Sequence, residues 1–308
     1  MPNVPNETID ESAAGDTSPA CVLSFNANDP SGACGLSADL CAIASVGAHA
    51  MPVMTGAYAR DTARIFDFFP LPSEAVEEQA TVVLEDCAVH AFKLGFAGTP
   101  DTLGVIASLS ADYPETPLIA WMPDLSWWTT DQIDSYHDAF SELILPQTAI
   151  LVGNHSTLWR WLLPTWSSQR PPSARDIAMA AHALGAGMTL VTGMSLADRS
   201  IENTLAAPQA VLASEKHAFL EATFIGAGDT LSGAFAALVA SGCEPAEALS
   251  EAMGYLARCL AGGYRPGMGH VVPDRLFWAQ PGEDDDTTAQ DSFTTLTSQE
   301  PSPHDKQH

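Results

Sequence analysis

Glycines, a carboxylate and a hydroxyl follow one another closely near the end of the chain, in the stretch FIGAGDTLSG at 224–233. Glycine permits tight turns and close approach of the backbone to a ligand, and the small apolar residues 234–239 are typical of a buried helix. A loop that enters a helix offers unpaired N–H groups and partial positive charge, which attract phosphate or another anion. A carboxylate such as Asp229 can then act as a general base. The alternative is that Asp229 simply caps the helix, a position where aspartate is favoured.

The charge of the chain argues against several classes of partner. It contains 12 Lys+Arg against 38 Asp+Glu, for a formal charge of −26, so long-range repulsion opposes binding to nucleic acid or to an anionic membrane. No apolar run reaches membrane-spanning length, and the acidic N-terminus lacks the plan of a signal peptide. The six cysteines include no CxxC pair, which favours reduced thiols. We expect a cytoplasmic protein without nucleic-acid or membrane partners.

Composition divides the chain into a core segment and two ends. Residues 1–19 and 281–308 are polar and acidic and could not bury enough apolar surface to offset the cost of ordering. We predict that both are disordered acidic tails. The segment 20–280 is short enough to fold around one hydrophobic core, so we predict a single domain there.

Within that domain, apolar runs alternate with amphipathic segments, which is the pattern of parallel strands joined by helices. The predicted class is therefore α/β. Ligands of such sheets bind at the carboxyl ends of the strands, so the turn after the first strand and the glycine loop are expected to share a pocket. The predicted strands are 21–27, 53–55, 91–94, 118–121, 149–152, 188–192, 201–205 and 209–212, and the predicted helices are 35–46, 73–87, 101–111, 131–142, 174–184, 230–240 and 245–260.

A second motif follows the first predicted strand, where residues 28–40 read NDPSGACGLSADL. This resembles the DPSGGAGIQADLK signature of the hydroxymethylpyrimidine and phosphomethylpyrimidine kinases of thiamine biosynthesis, which belong to the ribokinase-like superfamily. The similarity continues in the same order through 46–48, 52–55, 93–95 and 226–232. The resemblance implies a three-layer α/β/α ribokinase-like fold with a central, mostly parallel sheet. It also implies transfer of phosphate from ATP to hydroxymethylpyrimidine, to its monophosphate, or to both.

The resemblance assigns the chemistry to the glycine loop. The N–H groups of Gly226, Ala227 and Gly228 would stabilise charge on the transferring phosphate, and Asp229 would take the proton from the attacking hydroxyl. Thiamine-type kinases often carry cysteine at the position of Asp229, whereas sugar kinases and many pyridoxal kinases carry aspartate.

The resemblance assigns the acceptor to the other motif. Asp39 would bond the polar edge of the pyrimidine, Ala27 would approach it through its backbone, and Phe96 would cover the ring. Without the resemblance, Asp39 would be interpreted as a solvated or capping residue and Phe96 as core. Arg60 occupies a place where the pyrimidine kinases usually have Gln or Glu. A fixed cation there would favour an anionic ligand, unless Arg60 is a surface residue turned outward.

The nucleotide side departs from the family pattern, although the resemblance still implies ATP and Mg²⁺. Asn154 is retained from an Asn-x-x-Glu motif that supports magnesium, but Thr157 stands in place of the glutamate. Thr192 and Gly193 fall in a nucleotide-binding segment that here lacks its lysine. Trp121 replaces an acid, and Asp124 could substitute for it only after a shift. The histidines and cysteines show no metal-ligand spacing, so no protein-held metal such as zinc is predicted.

Three interpretations of function remain open at this point. The first is the pyrimidine kinase. The second is a pyridoxal or pyridoxine kinase, because Asp229 is the residue typical of those enzymes. The third is a non-catalytic pyrimidine-binding or regulatory relative, because residues of the nucleotide side are missing. Since members of the family commonly dimerise, the resemblance also implies a homodimer.

Overall fold

The computed structural model describes residues 18–279. The predicted tails therefore lie outside the described residues, apart from Ser18 and Pro19. The fold belongs to a compact unit that ends at Arg275, and a separate unit follows, in which Phe277–Ala279 forms a turn of 3-10 helix. The domain limits 20–280 stay a prediction.

Nine strands in residues 18–279 form one sheet, with the spatial order β3-β2-β1-β4-β5-β6-β7-β8-β9. The strands from β2 to β7 in this order pair in parallel, while β3 at one edge and β8 and β9 at the other pair antiparallel. This confirms the predicted, mostly parallel sheet. The strands are β1 (Cys21–Asn28), β2 (His49–Arg60), β3 (Ile65–Pro70), β4 (Ala91–Leu94), β5 (Leu118–Met122), β6 (Thr148–Asn154), β7 (Met188–Ser195), β8 (Ser200–Ala206) and β9 (Val211–Ala218).

Eight α-helices of the described chain cover the sheet, and they form two groups. In the first group, α7 packs on both α1 and α8. In the second group, α2, α3 and α4 pack in succession and α5 packs on α6, and all five contribute to one core cluster. The helices are α1 (Gly35–Ser45), α2 (Ser73–Asp86), α3 (Pro100–Ala111), α4 (Thr130–Ala139), α5 (His155–Leu162), α6 (Ala174–Ala183), α7 (Ala227–Ala240) and α8 (Pro245–Ala261).

Alternation along β1 shows that the two helix groups lie on opposite faces. Leu23 and Phe25 join the core cluster that includes Val76 of α2. The intervening Ser24 points the other way, because successive side chains of a strand alternate between faces, and its hydroxyl bonds Asp39 of α1. The three-layer α/β/α arrangement is confirmed.

The region after β1 is the main difference from the predicted elements. The strand predicted at 53–55 is the twelve-residue β2, and β3 was not predicted at all. Strand β3 is an edge strand whose Phe66 and Phe69 are exposed, so its sequence lacks the pattern of a half-buried strand. Pairing with β2 and contact between the rings of Tyr58 and Phe68, 5.4 Å apart, hold it in place.

Two further expectations can be compared with the fold. All six cysteines lie in the described residues and are free thiols, although only Cys259 is fully buried. Among residues 18–279, no helix combines the length and the apolar character that a membrane crossing requires.

Candidate active site

A cavity of about 1200 Å³ opens at the carboxyl ends of the parallel strands. It is the place where the structure brings together residues from both sequence motifs. Ala27 and Asp39 are fully buried and do not line it. The predicted site residues that do line it are Arg60, Phe96, Asn154, Thr192, Gly193, Gly226, Ala227, Gly228 and Asp229.

Gly226 turns the glycine loop into α7. Its φ of +80° lies in the left-handed region that favours glycine, and a Cβ there would collide with the carbonyl oxygen of Ala33. Thr230 fixes the turn, because its N–H and Oγ1 donate to the carbonyl of Gly226 at 3.0 and 2.7 Å. The N–H groups of Ala227 and Gly228 belong to the first turn of α7 and have no carbonyl partner within the helix. They form the type of site that accepts a phosphate oxygen.

Asp229 stands beside these N–H groups in the first turn of α7. Its side chain is 16% exposed, and its Oδ1 accepts a hydrogen bond from Nδ2 of Asn26 at 3.1 Å. Burial raises the pKa of this carboxyl, while the Lys93 ammonium, whose Nζ lies 3.9 Å from Oδ1, opposes that shift. Asp229 is thus a partly buried carboxylate at the cavity wall, and a hydroxyl bound there could pass it a proton.

A buried polar cluster of Ser24, Asn26, Asp39 and Lys93 lies beneath Asp229. Nζ of Lys93 donates to both carboxylate oxygens of Asp39, at 2.7 and 2.9 Å. Ser24 and Asn26 donate to Oδ2 of Asp39 at 2.8 and 2.9 Å. Parallel pairing of β1 with β4 aligns Ser24 with Lys93, which places these side chains on one face.

This cluster bears on the predicted role of Asp39. The resemblance implied that its carboxylate bonds the substrate, but that carboxylate is buried and already accepts four hydrogen bonds from Lys93, Ser24 and Asn26. Asn26 and Lys93 also approach Asp229, at 3.1 and 3.9 Å, so the cluster connects Asp39 to Asp229. The role of Asp39 in binding stays a prediction.

Ala27 is likewise behind the cavity wall. Its N–H donates to the side-chain oxygen of Asn26 at 2.9 Å, and its carbonyl oxygen packs so closely against Gly35 that a Cβ on Gly35 would collide with it. The predicted approach of Ala27 to a substrate therefore has no support in this geometry. Its neighbour Asn26 reaches the cavity instead.

Aromatic rings form one wall of the cavity. Phe96, which is 2% exposed, stacks on Tyr58 with 5.6 Å between ring centroids and 15° between planes. Trp127 approaches both rings, at 5.9 Å from Phe96 and 6.1 Å from Tyr58. Arg60 follows Tyr58 at the end of β2 and also lines the cavity. A flat aromatic ligand suits such a wall.

The predicted nucleotide residues lie together farther along the same strand ends. Asn154 caps α5, since its side-chain oxygen accepts from the N–H of Ser156 at 3.0 Å. Gly193, with φ +74°, lies against the amide of Asn154, and its N–H donates to Asn203 Oδ1 at 3.0 Å. Thr192 Oγ1 donates to the carbonyl of Gly153 at 3.3 Å. The structure thus brings Asn154, Thr192 and Gly193 together.

Trp121 fills space that a smaller acid would leave open. Its indole lies against Gly228, where an added Cβ would collide with it. Asp124, the candidate replacement, is 59% exposed, and its Oδ1 lies 3.8 Å from the guanidinium of Arg160. Asp124 and Asp229 are the only carboxylates among the described residues that line the cavity.

Cys34 also lines the cavity but is not a nucleophile. Burial and the charge of Asp229 raise the pKa of its thiol, so the thiol stays protonated at neutral pH. The reactive form of cysteine is the thiolate.

Sequence reasoning missed two residues that bear on the site. Arg275 is buried, and its guanidinium donates to Thr230 Oγ1 at 2.8 Å, to the carbonyl of Gly32 at 3.3 Å and also to the carbonyl of Ala33. Arg275 therefore joins the two motifs. The Pro-Asp pair that precedes it is not part of a recognisable motif, so the sequence did not indicate that Arg275 contacts the site. His217 lines the cavity with a buried Nε2 that has no hydrogen-bond partner, and its strand was predicted only in part.

Gly226→Ala is expected to lower the free energy of unfolding by more than about 3 kcal/mol, because the left-handed backbone and the collision with Ala33 act together. Gly242→Ala is the matched control, since Gly242 has a φ of +88° but nothing within 4 Å of an added Cβ. The control should lose only about 1–2 kcal/mol. Urea unfolding of both variants measures the difference. Equal losses would show that the close approach of Ala33 contributes nothing.

Comparison with known proteins supplies the family. The profile described as phosphomethylpyrimidine kinase matches residues 29–274. A hydroxymethylpyrimidine/phosphomethylpyrimidine kinase from Mycobacterium leprae is 27% identical over 275 residues, which are 85% of this chain and 95% of that protein.

Solved structures agree on the fold. An ADP complex of Bacillus subtilis pyridoxal kinase aligns with a TM-score of 0.76 and 19% identity, over 86% of this chain and 100% of that one. A phosphomethylpyrimidine kinase from Clostridium difficile aligns with a TM-score of 0.63 and 20% identity, over 77% of this chain and 99% of that one. With a profile match that spans both motifs and most of its length, the chain belongs to the phosphomethylpyrimidine kinase family.

Proposed function

We propose that this chain phosphorylates hydroxymethylpyrimidine, its monophosphate, or both, with ATP as the phosphate donor. The observation that carries the proposal is the position of Asp229 beside the first-turn N–H groups of α7, in a cavity that also has an aromatic wall. A base, an anion site and a surface for a flat ring are the parts that this reaction requires.

The chain's residues divide the transfer step between them. The acceptor oxygen loses its proton to Asp229 and forms a bond to the γ-phosphorus, while the bond from that phosphorus to the bridging oxygen breaks and ADP leaves. The N–H groups of Ala227 and Gly228 stabilise the charge on the phosphoryl oxygens. Phe96 and Tyr58 hold the ring, and Asn26 and Lys93 hold Asp229.

ATP use is supported by the family and by the kinase neighbours, one solved with ADP. Magnesium fits the chain's residues poorly. Mg²⁺ prefers oxygen ligands, but the family's acid is Trp121 here and its glutamate is Thr157. Asn154 uses its side-chain oxygen to cap α5. Any magnesium would have to arrive with the nucleotide.

Trp121 and Thr157 favour the non-catalytic alternative, a chain that binds the pyrimidine without transferring phosphate. The indole of Trp121 lies against Gly228, beside the N–H groups that would hold the phosphate. The pyridoxal or pyridoxine kinase is the other alternative, because a Staphylococcus aureus pyridoxal kinase solved with AMP-PCP and pyridoxal shares the fold, with a TM-score of 0.73 over 84% of this chain and 94% of that one at 19% identity.

An ADP-release assay with magnesium-ATP and four separate acceptors tests these functions. We expect release with hydroxymethylpyrimidine or its monophosphate to exceed release with pyridoxal or pyridoxine by at least about tenfold, a difference of about 1.4 kcal/mol in the barrier. Faster release with pyridoxine or pyridoxal would favour the second kinase. Calorimetric binding of the pyrimidine without any ADP release would favour the binding protein.

The homodimer and the cytoplasmic location stay predictions. Exposed Phe66 and Phe69 on edge strand β3 would favour association of two copies, because a sheet edge with apolar side chains invites pairing.

A further inference from the structure

His217 has a buried ring nitrogen without a hydrogen-bond partner. The residue lies in β9 opposite Ile201 of β8, and both line the cavity. Nε2 of His217 is buried, and none of the described residues hydrogen-bonds to it. Leaving a buried polar atom unpaired costs free energy, so such an atom in a folded protein requires an explanation. A ligand that enters the cavity would supply the missing partner.

Apolar side chains line the end of the cavity to which His217 belongs. Helix α8 packs on β9, and three of these side chains share one face of α8. Two others follow β9 and are about half exposed, which is typical of a surface that a ligand covers. They are Met253, Leu256 and Leu260 of α8, and Phe219 and Leu220 after β9. This compartment suits a flat group whose polar edge faces His217.

The order of the strands indicates which ligand reaches this compartment. The aromatic wall uses Tyr58 of β2 and Phe96 after β4, whereas His217 lies in β9, at an edge of the sheet. Neighbouring strands are about 4.8 Å apart, so β4 and β9 are separated by roughly 24 Å across the sheet. Helix α7 packs on β1, β4, β5 and β6, between these ends. With the acceptor at the wall and the phosphate at α7, the nucleotide is the ligand that extends to β9.

The base of a nucleotide matches this compartment. Its faces can lie on the apolar side chains, and its edge carries hydrogen-bonding groups. On adenine the 6-amino group donates and the adjacent N1 accepts, so a nitrogen of His217 finds a partner whether or not it carries a proton. The torsion about the Cβ–Cγ bond of histidine is broad, which lets the ring turn a nitrogen toward the base.

We propose that His217 recognises the base of the phosphate donor through a hydrogen bond to the edge of the base. The inference rests on the proposed function, which supplies the nucleotide and places its phosphate at the first turn of α7. His217 is then a specificity residue for the donor. It lies in β9, outside both sequence motifs.

Calorimetry without acceptor tests this assignment. It compares ADP, which has the base, with pyrophosphate, which lacks it, in one magnesium buffer. His217→Phe should weaken ADP binding by about fivefold to tenfold, through the loss of one hydrogen bond, and should leave the affinity for pyrophosphate unchanged. His217→Gln keeps a donor and an acceptor and should retain most of the affinity for ADP.

His137→Phe is the matched control. His137 also has a buried Nε2 without a partner among the described residues, but it stacks on Trp161 and does not line the cavity. Its substitution should leave the affinity for ADP at the wild-type value. Because each change to phenylalanine removes an unsatisfied nitrogen, neither should lower the urea midpoint of unfolding.

Equal affinity of the wild type and His217→Phe for ADP would overturn the assignment. So would an equal loss for ADP and pyrophosphate, a lowered urea midpoint in His217→Phe, or a wild type that does not bind ADP. ADP binding that depends on His217, without ADP release in the acceptor assay, would support the assignment and contradict only the proposed kinase activity.

Discussion

Replacing Asp229 by asparagine should lower turnover by about 10² to 10⁴-fold, the usual contribution of a positioned general base. The amide cannot take the proton of the acceptor, but it keeps the size of the carboxylate and can still accept from Asn26, as Oδ1 does now. Acceptor binding should therefore change little. ADP release and calorimetric affinity, measured on the same preparation, separate the two effects.

Asp101→Asn is the control for this variant. Asp101 also lies in the first turn of a helix, α3, but is exposed and does not line the cavity, so turnover should be unchanged. If Asp229→Asn kept the wild-type rate, another group would have to accept the proton.

The pKa of the Asp229 carboxyl determines how the rate of phosphate transfer should change with pH. Burial raises its pKa in the folded protein, and only the deprotonated form is a base. The rate should therefore fall as pH drops through this raised pKa, starting at a higher pH than for an exposed aspartate. A pH–rate profile measures it, and the acidic limb should be missing from the residual activity of Asp229→Asn.

Lys93→Met should lower the free energy of unfolding by about 3–5 kcal/mol, because it leaves the buried carboxylate of Asp39 without its ion-pair partner. Removing both charges in Lys93→Met with Asp39→Asn should cost less than the sum of the two single changes. Urea unfolding of the four proteins gives the coupling energy. The approach of Lys93 to Asp229 implies that ADP release falls in parallel.

An exposed ion pair serves as the comparison. Lys216 and Glu202 approach to 3.8 Å, with the lysine side chain 59% exposed. The cycle of Lys216→Met and Glu202→Gln should give a coupling below about 1 kcal/mol. A coupling for Lys93 and Asp39 as small as this would show that the buried ion pair stabilises the fold no more than an exposed one does.

The sequence was sufficient for the architecture and for the glycine loop. Alternating apolar runs predicted the parallel strands, and the order of residues 226–230 predicted a loop entering α7, because glycine and a following apolar run leave few alternatives. Strand β3 could not be predicted, since its edge position leaves Phe66 and Phe69 exposed. Lys93 did offer a signal. A lysine in the apolar stretch AFKL must find a buried partner.

The roles of Asp39 and Arg60 could not be read from spacing. Residues far away along the chain decide which face of α1 is covered. They also decide whether a carboxylate on that helix already has its hydrogen-bond partners. Ser24 and Lys93 are 69 residues apart but align across β1 and β4. Both then donate hydrogen bonds to the carboxylate of Asp39, which is therefore held in the interior and does not line the cavity. Arg60 is similar: its side chain is only 7% exposed, and this burial depends on contacts that the sequence does not display.

Arg275 has a consequence for the order in which the protein matures. Its guanidinium joins Gly32 and Ala33 to Thr230, and Gly32 and Arg275 are separated by 243 positions. A chain synthesised from its N-terminus can pair β1 with β2 and β4 early, whereas this clamp closes only after nearly the whole fold has left the ribosome. Contacts of such long separation form slowly. The contacts that position the glycine loop against the first motif are therefore the last to be completed.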